Sequence, residues 1–291
     1  EYEGAMMAYD IARDISDGLA RAACACEING VVSDLRTEIS EDCELNILTF
    51  DDPEGRKVFR HTTAHVLAQA VKRLYPNAKC AIGPAIENGF YYDMDAPFAF
   101  TAEIMEQIEG EMRKICKEKL KLERFELPRT EAIAFMEERE EPYKVELIND
   151  LEDGTISFYE SGSFTDLCRG PHLVDFSPIK AVKLTSLAGA YWRGDEHRPQ
   201  LTRVYAISFP KKKELDEYLA MLEEAKKRDH RKIGKEMGLF MFSDMVGKGL
   251  PIWLPKGTDL RLRLQEFLSK IQKRYGYKQV ITPHIGGKQL Y

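Results

Sequence analysis

The spacing of apolar and polar positions changes several times along the chain, and each spacing predicts an element. Tyr9 to Ile15 read as a short helix. The runs Cys24–Ile28 and Val31–Leu35 flank Asn29-Gly30, a strong hairpin signal because both turn positions require positive φ. Cys43, Leu45 and Ile47 alternate with Glu44 and Asn46, as in a half-buried strand. Asp51 to Gly55 is rich in turn formers and marks a boundary. Residues 56–75 then predict a helix that stops before Pro76, and residues 78–95 predict strands and turns around Gly83-Pro84 and Asn88-Gly89. Over 101–122, Ile104, Ile108, Met112 and Ile115 share one helical face, and a shorter helix follows Pro128. Residues 154–209 are mixed and strand-rich. Residues 211–235 predict one charged helix with Leu215, Tyr218, Leu219 and Leu222 as its buried stripe. Thr258 is expected to cap a last helix that buries Leu260, Leu264, Phe267, Leu268 and Ile271, followed by a strand from Tyr277 to Thr282. The pattern is α+β and multi-domain, without repeats or low-complexity tracts.

Composition narrows the class. The chain has 291 residues, 44% apolar and 31% charged, which suits folded domains with sizeable cores and excludes a wholly disordered chain. At about 150 residues per domain, two domains are expected. No apolar run approaches the roughly 18–20 residues of a membrane span. The start, EYEGAMMAYD, has neither the basic nor the apolar region of a signal peptide and no initiator Met, which suggests a trimmed start. Six irregularly spaced cysteines fit a reducing cytoplasm better than a disulfide framework, and Cys24 and Cys26 read as core residues rather than a metal pair. Net charge is −6, but residues 131–160 carry ten acidic and two basic side chains while 256–278 carry seven basic and two acidic ones. That asymmetry fits either a positive face towards the C-terminus or an ordinary solvated helix surface.

Two motifs carry candidate chemistry. His61 and His65, in RHTTAH, stand four apart, which places both imidazoles on one face of a helix. The metalloprotease version of this spacing needs a glutamate where Thr62 stands, so protease chemistry is not expected. The second motif is FTDLCRGPH, with Cys168 and His172 in a loop bent by Gly170-Pro171. Three imidazoles and a thiol form a donor set of zinc type; the same groups could instead line a metal-free pocket and hold water by hydrogen bonds.

Together and in this order, the two motifs resemble the N-terminal part of the threonyl-tRNA synthetase family. The resemblance covers essentially the whole chain. Residues 1–50 resemble its ubiquitin-like TGS domain, lacking part of the first strand, and residues 51–209 its editing domain. Residues 210–237 resemble the linker helix. Residues 238–291, including GLFMFSDMVGKGLPIWLPKGTDLRLRLQEFL, resemble the start of a class II catalytic domain with motif 1. The family's ATP-binding arginines, catalytic zinc ligands and anticodon-binding domain lie further along. The resemblance therefore implies a ligase that uses ATP, Mg²⁺ and Zn²⁺ when intact, and a fragment that does not itself aminoacylate.

The resemblance also implies why such a site exists. A synthetic site selects threonine over serine by one methyl, worth only about 1–3 kcal/mol. A second site that admits serine and excludes threonine can hydrolyse seryl-tRNA(Thr) after transfer. His61, His65, Lys144, Cys168 and His172 are then the expected catalytic residues, with His61 at the terminal ribose or attacking water and Lys144 positioning water. Asp166 is expected to bind the substrate ammonium and Tyr92 to size the pocket. Read alone, Lys144 is a surface lysine among acids. Cys168 is not expected to be a nucleophile, since hydrolysis by positioned water needs none. Related editing domains of alanyl-tRNA synthetase hold zinc at the four His/Cys positions; for this chain no functional metal is favoured, with zinc at His61, His65, Cys168 and His172 the alternative.

Contact with tRNA(Thr) is expected through Lys226, Lys227, Arg228, Arg231 and Lys232, or through Arg261, Arg263, Lys270, Lys273 and Arg274. Motif 1 implies a homodimer for the intact enzyme, in the cytoplasm and away from membranes. Other readings are a stand-alone trans-editing deacylase, against which the motif 1-like tail argues, a TGS-based RNA- or nucleotide-binding regulatory module, and a zinc metalloprotein.

Overall fold

A computed structural model describes residues 4–152 and 154–290. The chain divides into two compact units, residues 1–217 and 218–291.

In the first unit the strand Met6–Met7, paired with Glu38–Ile39, leads into the helix Ala8–Ile15 and the short helix Asp17–Ala22, whose N-cap Ser16 accepts from the Leu19 N–H. Three antiparallel strands follow in the order Val31–Ser33, Ala23–Ile28, Leu45–Thr49. The hairpin falls at Asn29-Gly30, with φ of +50° and +81°, so the asparagine and glycine sit where a Cβ-bearing residue is generally strained. Both Cys24 and Cys26 are buried.

The helix Pro53–Leu74 is the axis of the unit. Pro53 stands in its first turn, where the missing N–H costs nothing, and the chain leaves the helix at Tyr75, before Pro76. From Val58 to Val71 it is buried on nearly every side except at His61. One face meets the antiparallel sheet Ala181–Tyr191, Gln200–Phe209, Gly89–Asp95, Lys79–Cys80, to which Ala85–Ile86 adds. Another meets the helix Ala102–Glu118, which turns Ile108, Met112 and Ile115 inward and is capped by Thr101. Phe59, Leu67, Val71, Phe90, Tyr92, Met94 and Val204 complete this core. A smaller sheet, Glu123–Pro128, Thr155–Ser161 and Phe164–Leu167, packs on the helices Arg129–Glu138 and Pro142–Asn149 through Ala132, Met136, Ile148 and Phe158.

The N-terminal strands pack on the helix Pro53–Leu74 through Ala25, Leu48 and Val58 and are also tied to one loop of the unit. Arg36 donates to the carbonyls of Leu173 (2.7 Å) and Val174 (3.0 Å), and Val174 packs on the core formed by Ala8, Cys26 and Leu35.

From Lys212 onward several expectations are corrected. The single helix over 211–235 is two, Lys212–Lys227 and His230–Glu236. Asp229 breaks it by turning its carboxylate onto the Arg231 N–H (2.8 Å), a cap that competes with a continuous helix. The last helix, Pro255–Arg274, begins three residues before Thr258, because Pro255 takes its first position. Tyr277 to Thr282 forms no strand, since a strand needs a partner and none pairs with it among the described residues. The stripe of that last helix is also not a buried face here: Leu260, Leu264, Phe267 and Leu268 are 46–60% exposed. Apart from Leu215, which is buried, the apolar stripe of Lys212–Lys227 is half-buried.

Candidate editing site

The two motifs, a hundred residues apart in sequence, meet. His61 and His65 project from the middle of the helix Pro53–Leu74, and the loop after the strand Phe164–Leu167 brings Cys168 and His172 against them. One donor atom from each of the four lies within 4.8 Å of the others. The His61 and His172 rings are stacked with centroids 4.6 Å apart, and His65 meets His172 edge-on at 4.2 Å. Cys168 Sγ lies 3.0 Å from His61 Nε2 and 3.2 Å from His172 Nε2.

Backbone and side-chain groups behind the rings fix their orientation. His61 Nδ1 faces the Gly83 carbonyl at 3.3 Å. His172 Nδ1 faces the Thr62 hydroxyl at 3.0 Å. The His172 N–H donates to Asp34 Oδ2 (3.3 Å), which also accepts from the Tyr159 hydroxyl (3.2 Å), so a residue of the N-terminal strands braces the loop. A Cβ at Gly170 would stand 2.3 Å from the Tyr159 hydroxyl oxygen, which is why this loop position, at φ +77°, is glycine.

Behind the imidazoles lies a buried polar cluster. Lys144 Nζ is 2.5 Å from Asp166 Oδ1 and donates to the Tyr92 hydroxyl at 3.0 Å. That hydroxyl donates to Asp166 Oδ2 at 2.6 Å, and His65 Nε2 stands 3.7 Å from the same oxygen. Lys144 is 4% exposed, so the surface-lysine reading of its acidic neighbourhood is wrong: the helix Pro142–Asn149 turns it inward onto the Asp166 carboxylate. Both Asp166 oxygens are engaged. A substrate ammonium arriving there would share the carboxylate with Lys144 through its remaining lone pairs. Tyr92 is fixed from the other side as well, since Gly83 packs so closely that a Cβ there would fall 2.3 Å from its ring.

Burial sets the protonation states. It pushes all three imidazole pKa values down, His65 to about 3, so the rings are neutral at physiological pH. Burial pushes the Cys168 thiol up to about 12, which makes it a hydrogen-bond donor and not a thiolate. For Asp166 and Lys144 burial disfavours both charges, but their mutual attraction outweighs it: the carboxyl is held below and the ammonium above its ordinary value.

A cavity of about 370 Å³ opens over His61, walled by Val32, Lys57, Pro84 and Pro171. His61 and Cys168 are only partly buried, while His65 and His172 lie behind them. Val32 brings the N-terminal strands to this mouth. The donor set fits zinc: three imidazole nitrogens and a sulfur converge, and the Nδ1 atoms of His61 and His172 are held from behind, as for ligating histidines.

Comparison with known proteins now adds to the geometry. Residues 2–49 match the TGS domain, and residues 156–205 match the threonyl and alanyl tRNA synthetase second additional domain. The second match includes Asp166, Cys168 and His172. The threonine–tRNA ligase of Clostridioides difficile is 56% identical over 292 residues, which is 100% of this chain and 46% of that protein. Those of Bacteroides thetaiotaomicron and Acetivibrio thermocellus are also 56% identical over 292 residues, across 45% and 46% of their lengths. The chain is related throughout its length to threonine–tRNA ligases. It spans about 46% of the length of such a ligase.

Against these relatives, the remaining expected residues divide. The tyrosine, lysine and aspartate assigned to substrate and water do gather behind the histidines. The basic cluster Lys226, Lys227, Arg228, Arg231 and Lys232 lies in the second unit, exposed, and each member pairs with a nearby acid: Glu223, Glu224, Asp229 or Glu236. Arg261, Arg263, Lys270, Lys273 and Arg274 are exposed on the last helix. Sequence reasoning passed over Asp34, Thr62 and the Gly83 carbonyl. A backbone carbonyl leaves no mark in a sequence, and Asp34 belongs to a different module. Thr62 was in view inside HTTAH, but a threonine in a helix has no periodic signature of its own. Among the described residues no helix is long and apolar enough to cross a membrane.

Proposed function

We propose that this chain is the N-terminal region of a cytoplasmic threonine–tRNA ligase, and that its histidine cleft hydrolyses seryl-tRNA(Thr). The division proposed is TGS domain 1–50, editing domain 51–209, linker 210–237 and start of a class II catalytic domain 238–291. ATP, Mg²⁺ and the synthetic zinc of the intact ligase would be held outside this chain, and motif 1 would form its homodimer. The observation that carries the reading is the convergence of His61, His65, Cys168 and His172 beside an open cavity.

In this reading the terminal adenosine of tRNA(Thr) lies over His61, with the serine ester reaching towards Tyr92 and Asp166. Water adds to the ester carbonyl carbon and gives a proton to an unprotonated imidazole Nε2. The bond from that carbon to the ribose oxygen breaks, the ribose oxygen takes a proton back, and serine and tRNA leave. Neutral imidazoles are ready for this at physiological pH, because burial holds their pKa values down. Lys144 has three N–H hydrogens; Asp166 and Tyr92 take two, and the third is assigned to the water. The fixed Tyr92 ring, locked between Gly83 and Asp166, is the wall that the extra methyl of threonine would strike. Cys168 remains a protonated thiol and forms no covalent intermediate. If zinc were bound by His61, His65, Cys168 and His172 it would supply Lewis-acid polarisation of the water; the steps above do not call on it.

The test is deacylation of seryl-tRNA(Thr) beside threonyl-tRNA(Thr). Rapid loss of serine, slow loss of threonine, and collapse of the first in His61→Ala and His172→Ala are expected. Equal and slow loss of both esters refutes the proposal.

A further inference from the structure

Thr62 lies between the two helix histidines, is wholly buried, and touches no part of the cavity. Its hydroxyl oxygen has three partners: Val58 O at 2.9 Å, His172 Nδ1 at 3.0 Å and the Leu173 N–H at 3.0 Å. A hydroxyl has one hydrogen and two lone pairs. The Leu173 N–H takes one lone pair. The Val58 carbonyl is an acceptor only, so a 2.9 Å approach between two oxygens requires the hydroxyl hydrogen to lie between them. That leaves one lone pair for His172, and the contact is a hydrogen bond only if His172 Nδ1 carries the proton.

We infer that Thr62 is a positioning residue for His172: it fixes the ring as the Nδ1–H tautomer and leaves Nε2 bare towards the reacting groups. The inference rests on the deacylase reading. The Gly83 carbonyl acts on His61 in the same way, since a carbonyl can only accept and His61 Nδ1 must then donate. Two bare Nε2 atoms therefore face one thiol. Cys168 has a single S–H hydrogen, so it satisfies one of them at a time, and the other is the lone pair that receives the proton of the attacking water. In the opposite tautomer His172 would donate from Nε2 to sulfur, the S–H would go to His61, and neither of these two rings would keep an Nε2 lone pair for water. The Thr62 hydroxyl thus decides whether the His61–His172 pair offers a base.

The chain has six histidines, so ¹⁵N-histidine labelling with long-range ¹H–¹⁵N correlation resolves each ring, with His172 assigned by its absence in His172→Gln. Spectra are recorded with a chelator, so that no metal sets the tautomer. The wild type is expected to show a protonated Nδ1 and a bare Nε2 at His172, and Thr62→Ser the same. Thr62→Val keeps the shape and removes the hydroxyl. It is expected to lower kcat for seryl-tRNA(Thr) at least about tenfold with little change in KM, while Thr62→Ser restores most of it. A protonated Nε2 in the wild type overturns the inference, as does a Thr62→Val enzyme as active as the wild type. If Thr62→Val does not fold, the tautomer of His172 in the wild type still decides. Failure of the deacylase reading is seen separately, as equal and slow loss of seryl- and threonyl-tRNA(Thr) with the wild type.

Discussion

Replacing Lys144 by methionine tests how the buried polar cluster is held together. The ammonium and the Asp166 carboxylate are 2.5 Å apart and their side chains are 5% and 3% exposed. At an effective dielectric constant of 20, two charges at that separation attract by about 7 kcal/mol, and the cost of removing both from water cancels much of this. Lys144→Met removes the attraction but leaves Asp166 buried, with only the Tyr92 hydroxyl and the distant His65 for company. The expected loss is about 3–5 kcal/mol, most of it the penalty of an uncompensated carboxylate. Asp166→Asn strands the ammonium in the same way. Once one charge is gone, removing the other is relief, so the double variant should be more stable than the sum of the two single losses predicts by about 2 kcal/mol. Urea unfolding at pH 7.5, followed by the fluorescence of buried Trp192 in a Trp253→Phe background, reads the first unit alone. A Lys144→Met loss below about 1 kcal/mol, or strict additivity in the double variant, would refute the account of the pair.

Two further outcomes follow from the same geometry. His61, His65 and His172 have folded pKa values below the ordinary value, so their contribution to stability is complete above about pH 6.5 and declines as the pH falls below it, the unfolded chain binding the protons. Three such groups give a slope of up to about 4 kcal/mol per pH unit, which urea titrations between pH 7.5 and 5 should show and which His65→Gln should flatten by about a third; a pH-independent stability over that range contradicts buried neutral rings. Gly83→Ala would place a Cβ 2.3 Å from the Tyr92 ring, and is expected to cost about 1–3 kcal/mol and to slow seryl-tRNA(Thr) hydrolysis in a parallel assay; unchanged stability and activity would mean that the ring is free to move.

Much of the architecture is legible locally. Asn29-Gly30 needs only its own backbone preference to make a hairpin, and the long helix stops before Pro76 by a rule that acts within a turn; its start at Pro53, inside the expected break 51–55, is not legible. The same locality explains the misreadings. Asp229 interrupts the single charged helix expected over 211–235, because a cap is one hydrogen bond and not a period. Pro255 outranks Thr258 for the helix start, and Tyr277 to Thr282 has strand composition without a partner strand.

By itself the sequence determined which residues bear chemistry: four imidazole and thiol groups in two short motifs, each placed by its own helix or loop. Only the tertiary structure decided what those groups are. Their meeting depends on a loop held from behind by Asp34 and Thr62, their neutrality on burial, and the inward turn of Lys144 on an aspartate more than twenty residues away. Protonation, tautomer and charge pairing depend on dielectric surroundings and on distances of about 3 Å between groups remote in sequence. No pattern of neighbouring residues encodes those quantities.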